Sequence, residues 1–122
     1  MTKVNLTNED IARCYLAKTI LEKEYARNPT IYLLARRVGT NENKLKISFK
    51  LIHKKTIHSF VTWIRIEKAK ELLEGTDLPI ETIAYNLGLD QSNLIKQFKR
   101  HTGSTPKEWR NSKKDLDNGY AV

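Results

Sequence analysis

One cysteine, three prolines and five glycines are all that 122 residues hold of the types that staple, break or loosen a chain. With Cys14 alone, no disulfide can form within the chain. That suits a reducing cytosol, and a lone thiol ordinarily sits as a small buried hydrophobe. No apolar run approaches the roughly 20 residues that span a bilayer. The opening MTKVNLTNED lacks the basic-then-apolar order of a signal peptide. The three histidines, His53, His58 and His101, have no cysteine or carboxylate at metal-ligand spacing. They are expected as solvated or phosphate-facing imidazoles. A Gly-rich phosphate loop, a serine elbow and a Cys–His signature are also missing. These gaps argue against an enzyme, a metal site, a cofactor, a small-molecule ligand and membrane insertion.

Positive charge is what the chain has in excess. Its formal net charge is +8, and 39% of its residues are hydrophobic, enough for a compact core. The length fits one ordinary domain or two very small ones. Residues 1–28 carry 5 basic and 4 acidic groups, and residues 111–122 carry 2 of each. The middle, residues 29–110, holds 15 basic against 8 acidic. Such a balance points to nucleic acid or another polyanion. A solvated surface that happens to be cationic would give the same count.

Periodicity predicts helices almost throughout, with Pro and Gly falling between segments. Thr7 or Asn8 can cap a first helix that runs to about Arg27 and stops before Pro29. Its stretch IARCYLAKTILEKEYA is read as core rather than as a membrane-surface helix. A short helix follows over about Ile31–Val38, ended by Gly39, and Asn41 caps the next. A long helix spans about Ile57–Glu74, with Gly75 expected just past its end in a left-handed conformation. Pro79 can occupy the first turn of a fifth helix ending at Leu87. Gly88 turns the chain, Asp90 caps a sixth helix, and Pro106 opens a seventh that fades into NSKKDLDNGYAV.

The chain also says one thing twice. LARRVGTNENKLKISFK (34–50) and IAYNLGLDQSNLIKQFK (83–99) align at an offset of 49 residues. Ala35 matches Ala84, Gly39 matches Gly88, Leu45 matches Leu94, Phe49 matches Phe98 and Lys50 matches Lys99. Beyond them, Thr56 matches Thr105 and Phe60 matches Trp109. In each copy the Ala permits close helix crossing, the Gly a sharp turn at positive φ, and the Leu–Phe pair anchors the second helix. This is the sequence form of a helix-turn-helix, whose second helix can enter a major groove. Two copies fall short of the three or so that a solenoid needs. A helix of about 17 residues between them spans roughly 26 Å. With its flanking turns it could hold two readers roughly 34 Å apart, one turn of B-DNA.

With LARRVG, LKISFK, WIRIEKAKELLEGTDLPIETIA and LGLDQSNLIKQFKRHTGSTPKEWR in hand, the sequence resembles the DNA-binding domain of the AraC/XylS family of bacterial transcription regulators. The resemblance covers about residues 10–110. Ile83-Ala84, Gly88, Phe98-Lys99, Gly103, Pro106 and Trp109-Arg110 carry its most specific part. It implies an all-α fold of seven helices, forming two helix-turn-helix subdomains joined by a long linker helix. The expected boundaries are a first subdomain over 1–56, the linker over 57–75, a second subdomain over 76–110 and a polar tail over 111–122. Three positions depart from the family. Lys54 stands where Gly is usual, which costs on the order of 1 kcal/mol if its backbone is left-handed, unless the turn differs. Leu89 replaces a usual Phe. The stretch from Gly88 to Leu94 is one residue shorter than the common form.

The family reads bases from the exposed face of each recognition helix. By position, that implies Asn43, Lys44, Lys46 and Ile47 in the first and Gln91, Ser92, Asn93 and Lys96 in the second. Gln and Asn can pair bidentately with adenine, and Lys donates to guanine. Ile47 can meet only a thymine methyl, or else packs in a shifted core. Lys50, Lys55, Lys99, Arg100 and Lys107 are expected on phosphates, which fix register without specifying sequence. Arg65, inside an apolar stretch, is expected to satisfy backbone carbonyls or an acid from another helix.

The favoured expectation is a cytoplasmic, sequence-specific regulator whose partner is double-stranded DNA. The competing one is a helical protein-interaction module with only non-specific DNA affinity, docking onto RNA polymerase or a partner regulator. Family members usually carry a separate ligand-sensing or dimerisation domain, for which these residues leave no room. The chain is expected either to work alone or, by a slight preference, to be the C-terminal domain of a larger regulator.

Overall fold

The computed structural model describes residues 5–117. Among the described residues there are seven α-helices: α1 (Asn8–Glu24), α2 (Ile31–Val38), α3 (Glu42–His53), α4 (Ile57–Gly75), α5 (Ile80–Asn86), α6 (Gln91–Thr102) and α7 (Pro106–Asp117). A single 3-10 turn, Tyr25–Arg27, closes α1, and no strand occurs among the described residues. The fold is all-α, as expected. The chain divides into two compact units, Met1–Val61 and Thr62–Val122, with the division inside α4.

In the first unit α1 lies against α2 and α3. Cys14, Ala17 and Leu21, one face of α1 at helical spacing, are buried with Leu34, Ala35, Leu45 and Phe49. Other apolar residues of α1 stay outside that core: Ile11, Tyr15 and Leu16 are exposed. Thr7 and Asp10 form a reciprocal capping box at its start, each side chain taking the other's backbone N–H at 3.0 Å. At the far end Arg37 reaches from α2 to Glu24 with two parallel bonds of 2.8 Å. The guanidinium holds the Glu24 carboxyl below the usual carboxylate range.

In the second unit Ala69, Leu73, Ile83, Ala84, Leu94 and Phe98 form the centre. Arg65 is buried, and its Nε donates to the Leu87 carbonyl at 3.0 Å. Arg110 does a similar service for Leu73 (3.2 Å) and Leu78 (2.7 Å). The Leu73 and Leu87 carbonyls are ones that a helix end leaves without an intrahelical partner, and a guanidinium brings several N–H donors to such a place. Trp109 packs edge-on against Phe98 at 5.6 Å and donates its Nε1–H to Glu74 at 2.9 Å.

Several local expectations are corrected. Gly75 is the last residue of α4 and is not among the left-handed glycines of the described residues, Gly39, Gly88 and Gly103. The helix ends instead through Thr76, whose hydroxyl donates to the Leu72 carbonyl at 2.6 Å. Pro79 stands at the N-cap of α5 rather than within its first turn. The stretch taken as a polar tail from residue 111 stays helical to Asp117, helped by a Lys114–Asp77 ion pair at 3.0 Å. Residues 118–122 of that stretch lie outside the described residues. His53 is neither solvated nor phosphate-facing: its Nε2 lies 3.1 Å from the Cys14 carbonyl, and its ring packs on Phe49 at 4.5 Å.

Candidate nucleic-acid interface

The two halves build their exposed helices by the same local chemistry. Gly39 and Gly88 have φ of 86° and 79°, a turn that residues with a Cβ adopt only under strain. Two residues later Asn41 and Asp90, both extended, accept the Lys44 and Asn93 backbone N–H at 2.8 and 2.7 Å. Twelve-residue helices follow in each case. Each ends on a left-handed residue, Lys54 at φ 64° and Gly103 at φ 83°. The offset of 49 therefore holds from cap to cap. It settles the register of α6, which starts at Gln91.

Leu45 with Phe49, and Leu94 with Phe98, turn one side of each helix inward. All eight residues expected to face bases are exposed: Asn43, Lys44, Lys46 and Ile47 on α3, and Gln91, Ser92, Asn93 and Lys96 on α6. At about 100° per residue, the direction opposite the buried side passes through Asn43, Ile47 and Lys50 on α3, with Lys54 just past its end. On α6 it passes through Ser92, Lys96 and Lys99.

Two of the eight have local partners. The Lys44 ammonium lies 3.4 Å from Asp10, whose carboxylate is buried. The Thr7 backbone N–H, then the Thr7 hydroxyl and Lys44, hold the Asp10 carboxyl below its ordinary pKa against the opposing effect of burial. Asn93, at the equivalent position of α6, donates from its amide to Asp90 at 3.1 Å. The same place in each repeat thus braces the helix start. Among the residues expected on phosphates, Lys50, Lys99 and Arg100 are exposed on the later turns of α3 and α6. Lys55 is exposed between α3 and α4, and Lys107 in the first turn of α7.

Beside the outward stripe of α3 lies a cleft of about 530 Å³, lined by Ile31, Asn43, Lys46, Ile47, Lys50, Thr56, Ile57 and His58. Lys54, with Ile47, Lys50 and Leu51, lines a second hollow of about 410 Å³. Sequence reasoning passed over Ile31, His58 and Lys54 as parts of this surface. A signal existed for Lys54, which follows Lys50 by four residues on the same stripe. None existed for Ile31, which arrives from a different helix. Among the described residues no group of three His, Cys, Asp or Glu side chains gathers as a metal site would require. No helix there is long and apolar enough to cross a membrane.

The family model described as a helix-turn-helix domain matches residues 34–112, a span that takes in both repeats. This chain belongs to the AraC/XylS family. A curated relative, an uncharacterized HTH-type transcriptional regulator from the cgkA 5′ region of Pseudoalteromonas carrageenovora, is 33% identical over 95 residues, covering 77% of this chain and 56% of that one. The HTH-type transcriptional activator RhaR of Escherichia coli is 35% identical over 78 residues, covering 62% of this chain and 28% of its own length. This family member thus spans little more than half, or less, of the curated relatives it matches. Among solved structures, the C-terminal domain of AraT, a response regulator from Geobacillus stearothermophilus, aligns with a TM-score of 0.79 at 26% identity, covering 89% of this chain and 88% of that one. The DNA-binding domain of AdpA, solved with a target DNA, aligns with a TM-score of 0.78, covering 82% and 91%. Its 19% identity makes that a likeness of fold.

Proposed function

We propose that this family member is a sequence-specific, double-stranded DNA-binding transcription regulator, and not an enzyme, acting in the bacterial cytoplasm. It inserts α3 and α6 into adjacent major-groove segments. The observation that carries this reading is the duplication itself. Two helices, begun by equivalent caps and turns, each present an exposed amide- and amine-bearing side in the most basic part of the chain. Helix-turn-helix proteins place such a side against base edges. Asn43, Lys46, Gln91, Ser92 and Lys96 are the proposed hydrogen-bonding base contacts, with Ile47 facing the groove among them. Lys44 and Asn93 reach bases only by leaving Asp10 and Asp90. Lys50, Lys55, Lys99, Arg100 and Lys107 would grip phosphates.

Selection of bound duplexes from a random-sequence library, at physiological salt, tests this directly. Two short enriched blocks centred roughly 10 base pairs apart are the expected result. One block alone would restrict base reading to one helix. No enrichment, with a shallow salt dependence, would replace the proposal by a protein-interaction module. A binder that engages about 6–10 phosphates loses roughly 10³–10⁵ in affinity between 50 and 200 mM salt.

A further inference from the structure

At the centre of the outward stripe of α3 stands an isoleucine, where a reader that used only hydrogen bonds would place an amide or a cation. Ile47 is 41% exposed, and Leu51, one turn further, is 44% exposed. Beside Ile47 the cleft brings in Ile31 from the start of α2 and Ile57 from the start of α4. Ile57 is buried and Ile31 half-buried, so they form an apolar floor on the proposed DNA side of the first unit, with Ile47 and Leu51 as the apolar surface left open. Apolar surface left open to water is unfavourable unless something covers it. The charge around this patch says what does. Lys46 and Lys50 border the cleft, and Lys54 borders the adjoining hollow. An apolar floor with an ammonium rim suits a polyanion that offers apolar groups along a groove. Duplex DNA offers one such group there, the 5-methyl of thymine.

We infer that the Ile47 cleft is a thymine-methyl site, so that the first recognition helix reads its segment through methyl contact while the lysines hold the adjoining phosphates. The inference rests on the DNA-binding reading above and adds a specificity rule to it. Ile47 and Leu51 are about 6 Å apart along the helix axis at 1.5 Å per residue. Successive bases on a strand are about 3.4 Å apart. The apolar stretch therefore matches one thymine, or two that lie one or two steps apart.

The test takes the duplex enriched by selection and replaces its thymines one at a time by deoxyuridine. That removes the 5-methyl and leaves every hydrogen-bonding group in place. Binding is expected to weaken about three- to tenfold at one or two positions beneath α3, and to be unaffected at the others. Ile47→Ala should bind the thymine duplex with a similar loss and show no further loss on the uracil duplex. The uracil series on the unaltered protein needs no folded variant, and an unchanged melting temperature would show that Ile47→Ala is intact. Uracil tolerated at every position, or a uracil penalty that persists in Ile47→Ala, would overturn the inference. If two blocks are enriched and uracil is tolerated, the methyl site alone falls. If no block is enriched, the methyl site and the DNA-reading proposal fall together.

Discussion

The two proposed readers differ least where they are built and most where they face outward. Caps, lengths, anchoring Leu–Phe pairs and left-handed ends are equivalent in α3 and α6. The outward residues are not. Ile47 stands where α6 has Lys96, and Leu51 where it has Arg100. Scaffold positions admit few physical solutions: a turn at φ near 80° favours glycine, and a buried anchor wants a large apolar side chain. Outward positions answer to a ligand, so two copies can share a frame and address different chemistry. The frames themselves are braced differently. In the first unit α1 supplies Glu24 to Arg37 and the Cys14 carbonyl to His53. In the second, arginines from α4 and α7 satisfy carbonyls left over at helix ends.

Four measurements would break or sharpen this comparison. The largest effect belongs to the shared scaffold. Phe49→Ala and Phe98→Ala each empty a fully buried site and should lower unfolding free energy by about 3–5 kcal/mol, read by chemical denaturation. A much smaller loss at one of them would mean that the two cores are not equivalent. Next comes the outward difference. Lys96→Ala should relax preference at one base position in one block, by about 1–3 kcal/mol against the preferred site. Lys99→Ala should instead weaken all sequences alike and reduce the salt slope by about one. An unchanged preference profile for Lys96→Ala would remove Lys96 from the base-reading set.

A smaller effect lies at the helix ends. Lys54→Gly relieves a left-handed lysine at φ 64° and should raise stability by about 1 kcal/mol. Gly103→Lys should lower it by a similar amount, and melting curves of the two would show whether the ends are interchangeable. The smallest concerns acid. The Asp10 carboxyl is held below its ordinary pKa, chiefly by the Thr7 backbone N–H. A lowered folded-state pKa gives stability that is present above the unfolded value, about 3.9. It is lost as pH falls through the folded value. Asp10→Asn should therefore be less stable than the parent at neutral pH, with the gap closing below about pH 4 in acid-unfolding curves. A gap that persists at low pH would trace the effect to lost packing instead of charge.

The repeat made much of this legible beforehand. Asn41 and Asp90 could be named as caps because a short polar acceptor after a glycine turn has little else to do. The starts of α3 and α6 follow from them. Where a sequence signal was ambiguous, hydrogen bonds and ion pairs that periodicity does not report decided. Gly75 resembles a helix terminator, yet the Thr76 hydroxyl ends α4 one residue later. The residues from Asn111 look like a solvated tail, yet a polar helix forms there. On the candidate interface, the family resemblance supplied eight base-facing candidates, and all eight are exposed. It could not show that Lys44 meets Asp10, 34 positions earlier in the chain. Nor could it show that Ile31 and Ile57 converge beside Ile47. Periodicity reports a residue's own helix and is blind to what a second helix brings alongside.

The bond from Arg65 to the Leu87 carbonyl has a bearing on how variants of this chain would be interpreted. Leu87 is the last residue before the Gly88 turn, so the guanidinium pins the point from which the chain sets out towards α6. Arg65 is 7% exposed and is not among the proposed DNA contacts. A change there would nevertheless alter where α6 begins. If α6 reads DNA as proposed, a genetic screen for lost DNA binding would thus return position 65 beside positions 96 and 99. Only a structural readout such as protease sensitivity would separate a misdirected helix from a missing contact.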